Sequence, residues 1–213
     1  MVVVASINGS PHKPSRTQYL LAELCAAMGE SIAMELRQIE LCEVGPDLFS
    51  APQRSGLSVK GDHILRQVES AEILVVGTPV YHASYTGLLK QLFDLLDDER
   101  MRGRIAVPVA NGETPMHGLM LEHQMRPLFS SIGIVTTSTT LFATQHEISD
   151  GGVLSRRLRE AAQLTAIEAV QMYTMRSCMG LESFSPRNSA NRGADDRMNA
   201  AEASRKQISR ILP

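Results

Sequence analysis

The chain contains no tryptophan, and aromatic residues make up only 4% of its 213 residues, so any local cluster of rings stands out. Cysteine is equally sparse. Cys25, Cys42 and Cys178 are odd in number, far apart and without a Cys-x-x-Cys pair, which excludes a disulfide framework, a dithiol redox pair and a zinc knuckle. All three read as reduced thiols, and Cys25, inside a helical pattern, reads as a small core residue. Charge of one sign is missing too: the formal net charge is -2 and the pI about 6.3, so no global field draws in nucleic acid or an anionic membrane. No apolar run approaches a membrane span, and "VVVASI" begins without a basic segment or a small-residue cleavage site, which predicts a cytoplasmic protein. No metal site is expected. His117 and His123 lie six residues apart, on different faces of a helix, and no His-x-x-x-His spacing occurs.

What remains is an ordinary core-forming chain, 43% hydrophobic, sized for one domain. Residues 2–7 and the stretch "EILVVGTPV" are continuous apolar runs, as expected of strands buried on both faces. "AMELRQI" alternates and suits a half-buried strand. "GRIAVPVAN" reads as a strand in spite of Pro108, and another lies within "IGIVTTSTTLFAT". Helices are predicted near 17–27, with Gly29 as a stop, and near 61–69, 87–97 and 116–131, with a last one over "LSRRLREAAQLTAIEAVQMY". The Gly-, Pro- and Ser-rich stretch 43–60 reads as a long surface loop. Five alternations of strand and helix call for a doubly wound five-stranded parallel sheet with helices on both faces. That α/β domain occupies residues 1–180, and the polar segment 181–213 reads as a flexible tail.

Ligands of such sheets sit at the carboxyl ends of the strands. Three loops therefore matter: 9–17, 78–87 and 111–116. The first, "GSPHKPSRT", ends at a helix amino terminus, whose free N–H groups and positive dipole end suit an anion. Ser10, Ser15 and Thr17 add hydroxyls, and Arg16 adds a guanidinium that can fork onto phosphate oxygens. Ser15 also serves as a helix cap, which is compatible with phosphate binding. The loop is neither a nucleotide P-loop nor G-x-G-x-x-G, which leaves a terminal phosphate such as that of FMN. The second loop, "TPVYHASYTG", concentrates Tyr81 and Tyr85 beside a strand end, as a packed mini-cluster or as a ring-binding edge. The third offers Asn111 and Gly112, a turn pair that brings bare backbone close to a flat ligand.

"GSPHKPSRT" followed by "TPVYHASYTGLLKQLFDLL" resembles the NAD(P)H-dependent FMN reductase family of flavodoxin-like fold, and within it the reductases of two-component alkanesulfonate and methanesulfonate monooxygenases. The resemblance covers about residues 2–178. It implies a phosphate loop at Ser10, Ser15, Arg16 and Thr17, a ring-edge loop at Thr78, Pro79, Val80 and Tyr81 with Ser84 nearby, and a second ring loop at Asn111, Gly112 and Glu113. Glu113 stands where the family more often has glycine. It further implies FMN and NAD(P)H as cofactors, a partner FMN-dependent monooxygenase and a homo-oligomer, dimer or tetramer.

One helix carries a defect. Pro127 lies inside "MHGLMLEHQMRPLFSSIG", where its ring crowds the carbonyl of His123 and removes an N–H, so the helix kinks or widens. A single-turn π-bulge is one solution. The resemblance places His123 at the inserted position of such a bulge, across a subunit interface beside the flavin; a solvated histidine beside an ordinary kink is the plainer reading. Hydride transfer from nicotinamide to a flavin needs no protein acid or base, so no catalytic residue is nominated. An FMN-containing quinone, azo or chromate-type reductase that keeps its flavin uses the same motifs. A flavodoxin-like carrier fits less well, since such carriers are strongly acidic and often clamp the flavin with tryptophan.

Overall fold

The computed structural model describes residues 1–149 and 151–179; the proposed tail, 181–213, lies outside the described residues. The continuous apolar runs form the middle of a parallel sheet. β1 (Val2–Asn8), β3 (Ile73–Pro79) and β4 (Ile105–Gly112) lie side by side, with Val4 opposite Ile73 and Ile73 opposite Ile105. β2 (Met34–Glu40) pairs with β1 as an outer strand, where only Ile39 is buried. On the far side of β4 the fifth position is shared by two short strands, β5 (Val135–Thr136) and β6 (Leu141–Thr144). The order is therefore β2-β1-β3-β4-β5, with β6 also on β4, and every pairing is parallel.

Burial on both sides explains the lack of alternation. Ile73 and Val75 point to a layer made by α1 (Arg16–Ser31) and α7 (Arg156–Cys178), where they meet Leu20, Leu24, Leu158 and Ala162. Leu74 and Val76 point to the opposite layer of α2 (Leu41–Leu48), α3 (Val59–Glu69), α4 (Gly87–Leu95) and α6 (Arg126–Ser131), where Leu65, Leu89, Leu92 and Phe129 lie. A one-turn α5 (Asp98–Met101) leads back to β4. Each fully buried leucine in these layers contributes about 1.5–3 kcal/mol of transfer free energy. Cys25 belongs to the α1 layer, and burial pushes its thiol up to about 11 against a lowering hydrogen bond with Ser6, consistent with a packing role.

Two sequence expectations are corrected. Residues 43–60 are not one loop: α2 and a 3-10 turn (Arg54–Gly56) occupy much of the stretch, and α3 begins at Val59. Leu41 and Leu48, two turns apart on one face, are fully buried, and this packing outweighs the breaking tendency of Gly45 and Pro46. Gly29 does not stop α1, which continues to Ser31 and ends when the Ile32 N–H bonds the Met28 carbonyl at 3.1 Å.

Pro108 is accommodated in a central strand because the fifth position is broken. Ile105 donates toward β3, to the Glu72 carbonyl at 3.2 Å, while the Ala106 carbonyl faces outward and accepts the Thr137 N–H at 3.1 Å. Pro108 shares the parity of Ala106, so its nitrogen faces outward, between the residues of β4 paired to β5 and those paired to β6. No ladder donor is lost there. The broken segment finds its own partners: Arg126 donates to the Ser138 carbonyl at 2.7 Å, and Glu168 accepts the N–H groups of Ser138 and Thr139 at 2.6 and 2.9 Å. Burial alone would raise the Glu168 carboxyl, but these donors and the Thr139 hydroxyl hold it below the usual carboxylate range.

The close approach of α1 to β3 depends on Gly77, where an added Cβ would lie 2.7 Å from Thr17 Cγ2 and 2.9 Å from Leu21 Cδ2. Gly77→Ala is expected to lower stability by about 2 kcal/mol in equilibrium urea unfolding and to weaken FMN affinity, because the first turn of α1 must retreat.

Candidate functional site

The carboxyl ends of β1, β3 and β4 open into a cleft of about 460 Å³, within the range of small-molecule and cofactor sites. One end is the amino terminus of α1. Asn8, buried at the end of β1, organises the loop before that helix: its Oδ1 accepts the Ser10 N–H at 3.0 Å, and its Nδ2 donates to Glu40 Oε2 at 2.7 Å and to Ser15 Oγ at 3.2 Å. Ser10 Oγ donates to the His12 carbonyl at 3.0 Å and accepts the His12 N–H at 3.2 Å. Ser15 caps α1 by accepting the Gln18 N–H at 3.2 Å, as its capping reading expects, and it also lines the cleft. Arg16 is exposed at the cleft rim. Lys13, by contrast, is drawn outward to Glu43 at 2.8 Å.

Thr17 does a different task from the one its position suggests. It lines the cleft, but its hydroxyl donates to Asn111 Oδ1 at 2.7 Å, which ties the loop after β1 to the loop after β4. Asn111 in turn accepts the Val80 N–H on its carbonyl at 2.8 Å, so all three loops are linked through one residue. Gly112 needs its missing side chain for packing on His117, whose Cβ lies 2.7 Å from where a Cβ would be. His117 Nδ1 accepts the Glu113 N–H at 3.2 Å and sets the direction of the exposed Glu113.

The loop after β3 makes a tight hairpin. Tyr81 and Ser84 exchange N–H···O bonds of 2.9 and 3.0 Å, and the two residues between them, His82 and Ala83, have φ of 50° and 61°. This turn geometry favours Asn-Gly, so His-Ala is held there at a cost. The restraint comes from Gln124, whose Nε2 donates to the Ala83 carbonyl at 2.9 Å while its Oε1 accepts the Ser84 hydroxyl. Gln124 lies on a π turn, Leu121–Met125, in which the Arg126 N–H reaches back to the Leu121 carbonyl. The widened turn relieves the clash that Pro127 would make in a regular helix, and His123 sits exposed upon it. The predicted single helix over 116–131 is thus a 3-10 turn (Pro115–Gly118), the π turn and α6.

Of the predicted residues, Ser10, Ser15, Arg16, Thr17, Pro79, Val80, Tyr81, Asn111, Gly112 and Glu113 line the cleft. Thr78 and Ser84 do not. Thr78 is fully buried and accepts the Thr86 N–H at 3.2 Å, while Ser84 is engaged by Gln124. His12 and Pro14 of the first loop also line it; Tyr19, Gln145 and Ser149 complete the wall and were not predicted. Tyr19 carried no signal beyond its place in an amphipathic helix, and the other two follow β6, whose position the sequence leaves vague. Asn8 was legible in principle, as a polar residue ending an apolar strand.

The sequence matches the profile of the NADPH-dependent FMN reductase family over residues 2–148. This chain belongs to that family. It is 38% identical over 170 residues to the NADH-dependent FMN reductase SfnE of Pseudomonas putida, covering 80% of this chain and 91% of that protein. It is 34% identical over 174 residues to an FMN reductase (NADPH) of Pseudomonas aeruginosa, covering 82% and 94%. Among solved structures, an oxidoreductase from Corynebacterium diphtheriae superposes with a TM-score of 0.73 at 27% identity, over 82% of this chain and 98% of the other. A flavodoxin-type, WrbA-like protein from Agrobacterium tumefaciens shares the fold, with a TM-score of 0.53 at 15% identity over 81% and 97%. The chain is an NAD(P)H:FMN oxidoreductase of flavodoxin-like fold, with FMN and NAD(P)H as its cofactors. The donor set fits FMN: a helix amino terminus with hydroxyls and one guanidinium at one end of the cleft, strand-end backbone and a half-exposed tyrosine at the other.

Gln124→Ala should release the 81–84 turn and weaken FMN binding several-fold, with about 1 kcal/mol lost in urea unfolding, whereas Gln124→Glu keeps an acceptor for Ser84 and loses less. A second expectation concerns Glu147, which closes the 3-10 turn Gln145–Glu147 at the cleft wall by accepting the Thr144 N–H at 3.0 Å. Arg157, at 2.6 Å, is the main cause of its carboxyl lying below the usual range. Such a depressed acid stabilises the fold above its unfolded pKa and stops doing so as pH falls through its folded pKa. Arg157→Met should therefore cost about 0.5 kcal/mol at neutral pH, a small value because the pair is solvent-screened. The difference from the parent protein should vanish below the carboxylate range in denaturation series run from pH 7 to pH 3.

Proposed function

We propose that this reductase uses the cleft to pass hydride from NAD(P)H to FMN and releases the reduced flavin to a partner FMN-dependent monooxygenase of the sulfonate-sulfur type. The observation that carries the reading is the joining of an anion-binding helix start to two strand-end loops through Asn111 and Thr17. In it, Ser10, Ser15 and the first N–H groups of α1, that of Thr17 among them, hold the FMN phosphate, and Arg16 neutralises it from the rim. Pro79, Val80 and Tyr81 meet one edge of the ring system, with Thr78 and Ser84 supporting them from behind, and Asn111, Gly112 and Glu113 meet the other. FMN when bound supplies the hydride-accepting chemistry. The protein's own part is to orient the two rings and leave one face open, and no side chain is assigned a proton to move.

Release of flavin is favoured over retention by the walls themselves. Arg16 and Glu113 are exposed, and Tyr81, at 46% exposure, is the aromatic side chain on the ring-edge loop that faces the cleft, so little closes over a ligand. A homo-oligomer, dimer or tetramer, is proposed across the face around the π turn. There Met116 and Leu119 expose 70% and 47% of their surface near His123. A cytoplasmic location is proposed from the composition and from all three cysteines being free thiols.

The test is NADH and NADPH oxidation by flavin-stripped protein as FMN is raised from below one equivalent to large excess. A rate that saturates far above one FMN per chain supports the visiting-flavin reading; a plateau at one equivalent with an absolute need for a quinone or dye supports a resident flavin instead. Arg16→Met should raise the KM for FMN by roughly 10-fold with kcat little changed, the pattern of lost ground-state binding.

A further inference from the structure

A second cavity, of about 280 Å³, lies at the opposite end of the sheet from the flavin cleft. It is lined by Ser70 and Glu72 before β3, Arg104 and Ile105 at the start of β4, and Tyr173, Arg176 and Ser177 at the end of α7. β3, seven residues long, separates the two sites by roughly 20 Å.

Its chemistry is set by two guanidinium groups. Arg104 donates from Nε to the Arg100 carbonyl at 3.1 Å and from Nη2 to the Glu69 carbonyl at 3.1 Å, so its head is fixed by backbone. It forms no ion pair within 4 Å with a carboxylate among the described residues. Arg176 is fixed differently. Its head lies against the turn at Gly103, which has φ +75° and whose Cβ, if present, would be 2.8 Å from Nη2. Packing thus holds the Arg176 guanidinium in place while its donors meet no acceptor among the described residues. Burial lowers the Arg104 pKa, the Glu72 charge opposes this, and the Arg176 charge lowers it further. Glu72, the carboxylate lining the cavity, is engaged through Oε2 by the Val3 N–H at 2.7 Å. Ser70 Oγ accepts from Arg37 at 2.6 Å.

Two guanidinium charges share the cavity with the single carboxylate of Glu72, which leaves a net positive charge, and each guanidinium still has donors to give. We propose that this cavity is a second anion site, for a tetrahedral dianion of the phosphate class bridged by Arg104 and Arg176. Inorganic phosphate and a small phosphomonoester share that chemistry, and the cavity has room for either. The proposal stands apart from the flavin reading, since none of its residues lines the flavin cleft.

The experiment is thermal unfolding of the FMN-saturated full chain with inorganic phosphate, and in parallel with ribose 5-phosphate, against sodium chloride at equal ionic strength. FMN keeps the first loop occupied, and Arg16→Met is the control for any residual binding there. Phosphate is expected to raise Tm by about 2 °C or more over chloride. The shift should persist in Arg16→Met and disappear in Arg176→Met. Arg176→Met without phosphate should be as stable as the parent, or more so, because it relieves repulsion and breaks no hydrogen bond among the described residues. A larger shift with ribose 5-phosphate identifies a phosphomonoester as the ligand, and an equal or smaller one identifies free phosphate. No phosphate shift, a shift lost in Arg16→Met but kept in Arg176→Met, or a marked loss of stability in Arg176→Met without ligand would overturn the proposal.

Discussion

The close approach of α1 to β3 over Gly77 is the constraint on which the rest of the cleft depends. A residue with no side chain in the middle of a doubly covered strand lets Thr17 and Leu21 settle directly onto the sheet. Thr17 then reaches Asn111 on β4, two strands away from β1, and Asn111 holds Val80. The helix start, with its free N–H groups, is thereby set beside the ends of β3 and β4 and not merely above β1. Gly9 follows the same logic. It donates to the Gly77 carbonyl at 2.7 Å, and its own carbonyl accepts the Thr86 hydroxyl at 2.7 Å, which joins the first loop to the start of α4. The site is a set of mutual supports among three loops, each weak alone.

The π turn shows how a local defect is turned to use. Pro127 cannot sit in a regular helix without crowding the carbonyl four residues back, and the wider turn removes that crowding. The same widening carries Gln124 toward the strained His82-Ala83 turn, where it bonds both sides of the hairpin. The helix after β4 and the loop after β3, both irregular, are braced against each other. Arg126, immediately after the π turn, also holds the carbonyls where the fifth strand position breaks. Three irregularities, the π turn, the hairpin and the broken edge, thus share one polar network.

The ends of the sheet differ in character. The carboxyl ends are built mainly from hydroxyls, amides and backbone, with the charges of Arg16 and Glu113 at the rim. The amino ends gather ionic groups: buried Glu69 with Arg54 and Arg100, and then Arg104 and Arg176 around their own cavity. Glu69 is compensated by cations on two elements and by the Asp97 N–H at 3.0 Å, as a carboxylate excluded from water requires.

The parallel sheet and the three loops were legible because their physics is local or periodic. Doubly buried strands announce themselves by unbroken apolar runs, and loops at helix starts by Ser, Thr and Gly in order. α2 was missed because the burial of Leu41 and Leu48, a tertiary effect, overrode a breaker-rich composition. Pro108 could be judged only once the gap between β5 and β6 was known, since whether a strand proline costs a bond depends on its neighbour. By itself the sequence determined the fold class and the strand ends that open into the cleft, because these follow from pattern and residue type, while the resemblance of its loop motifs supplied several of the cleft's lining residues. Only the tertiary structure decided which polar groups face the cleft and which brace it: Thr78 and Ser84 turned inward, Asn8, Gln124 and His117 were recruited, and Arg104 met Arg176. Those roles depend on contacts between residues distant in the chain, which no local pattern records.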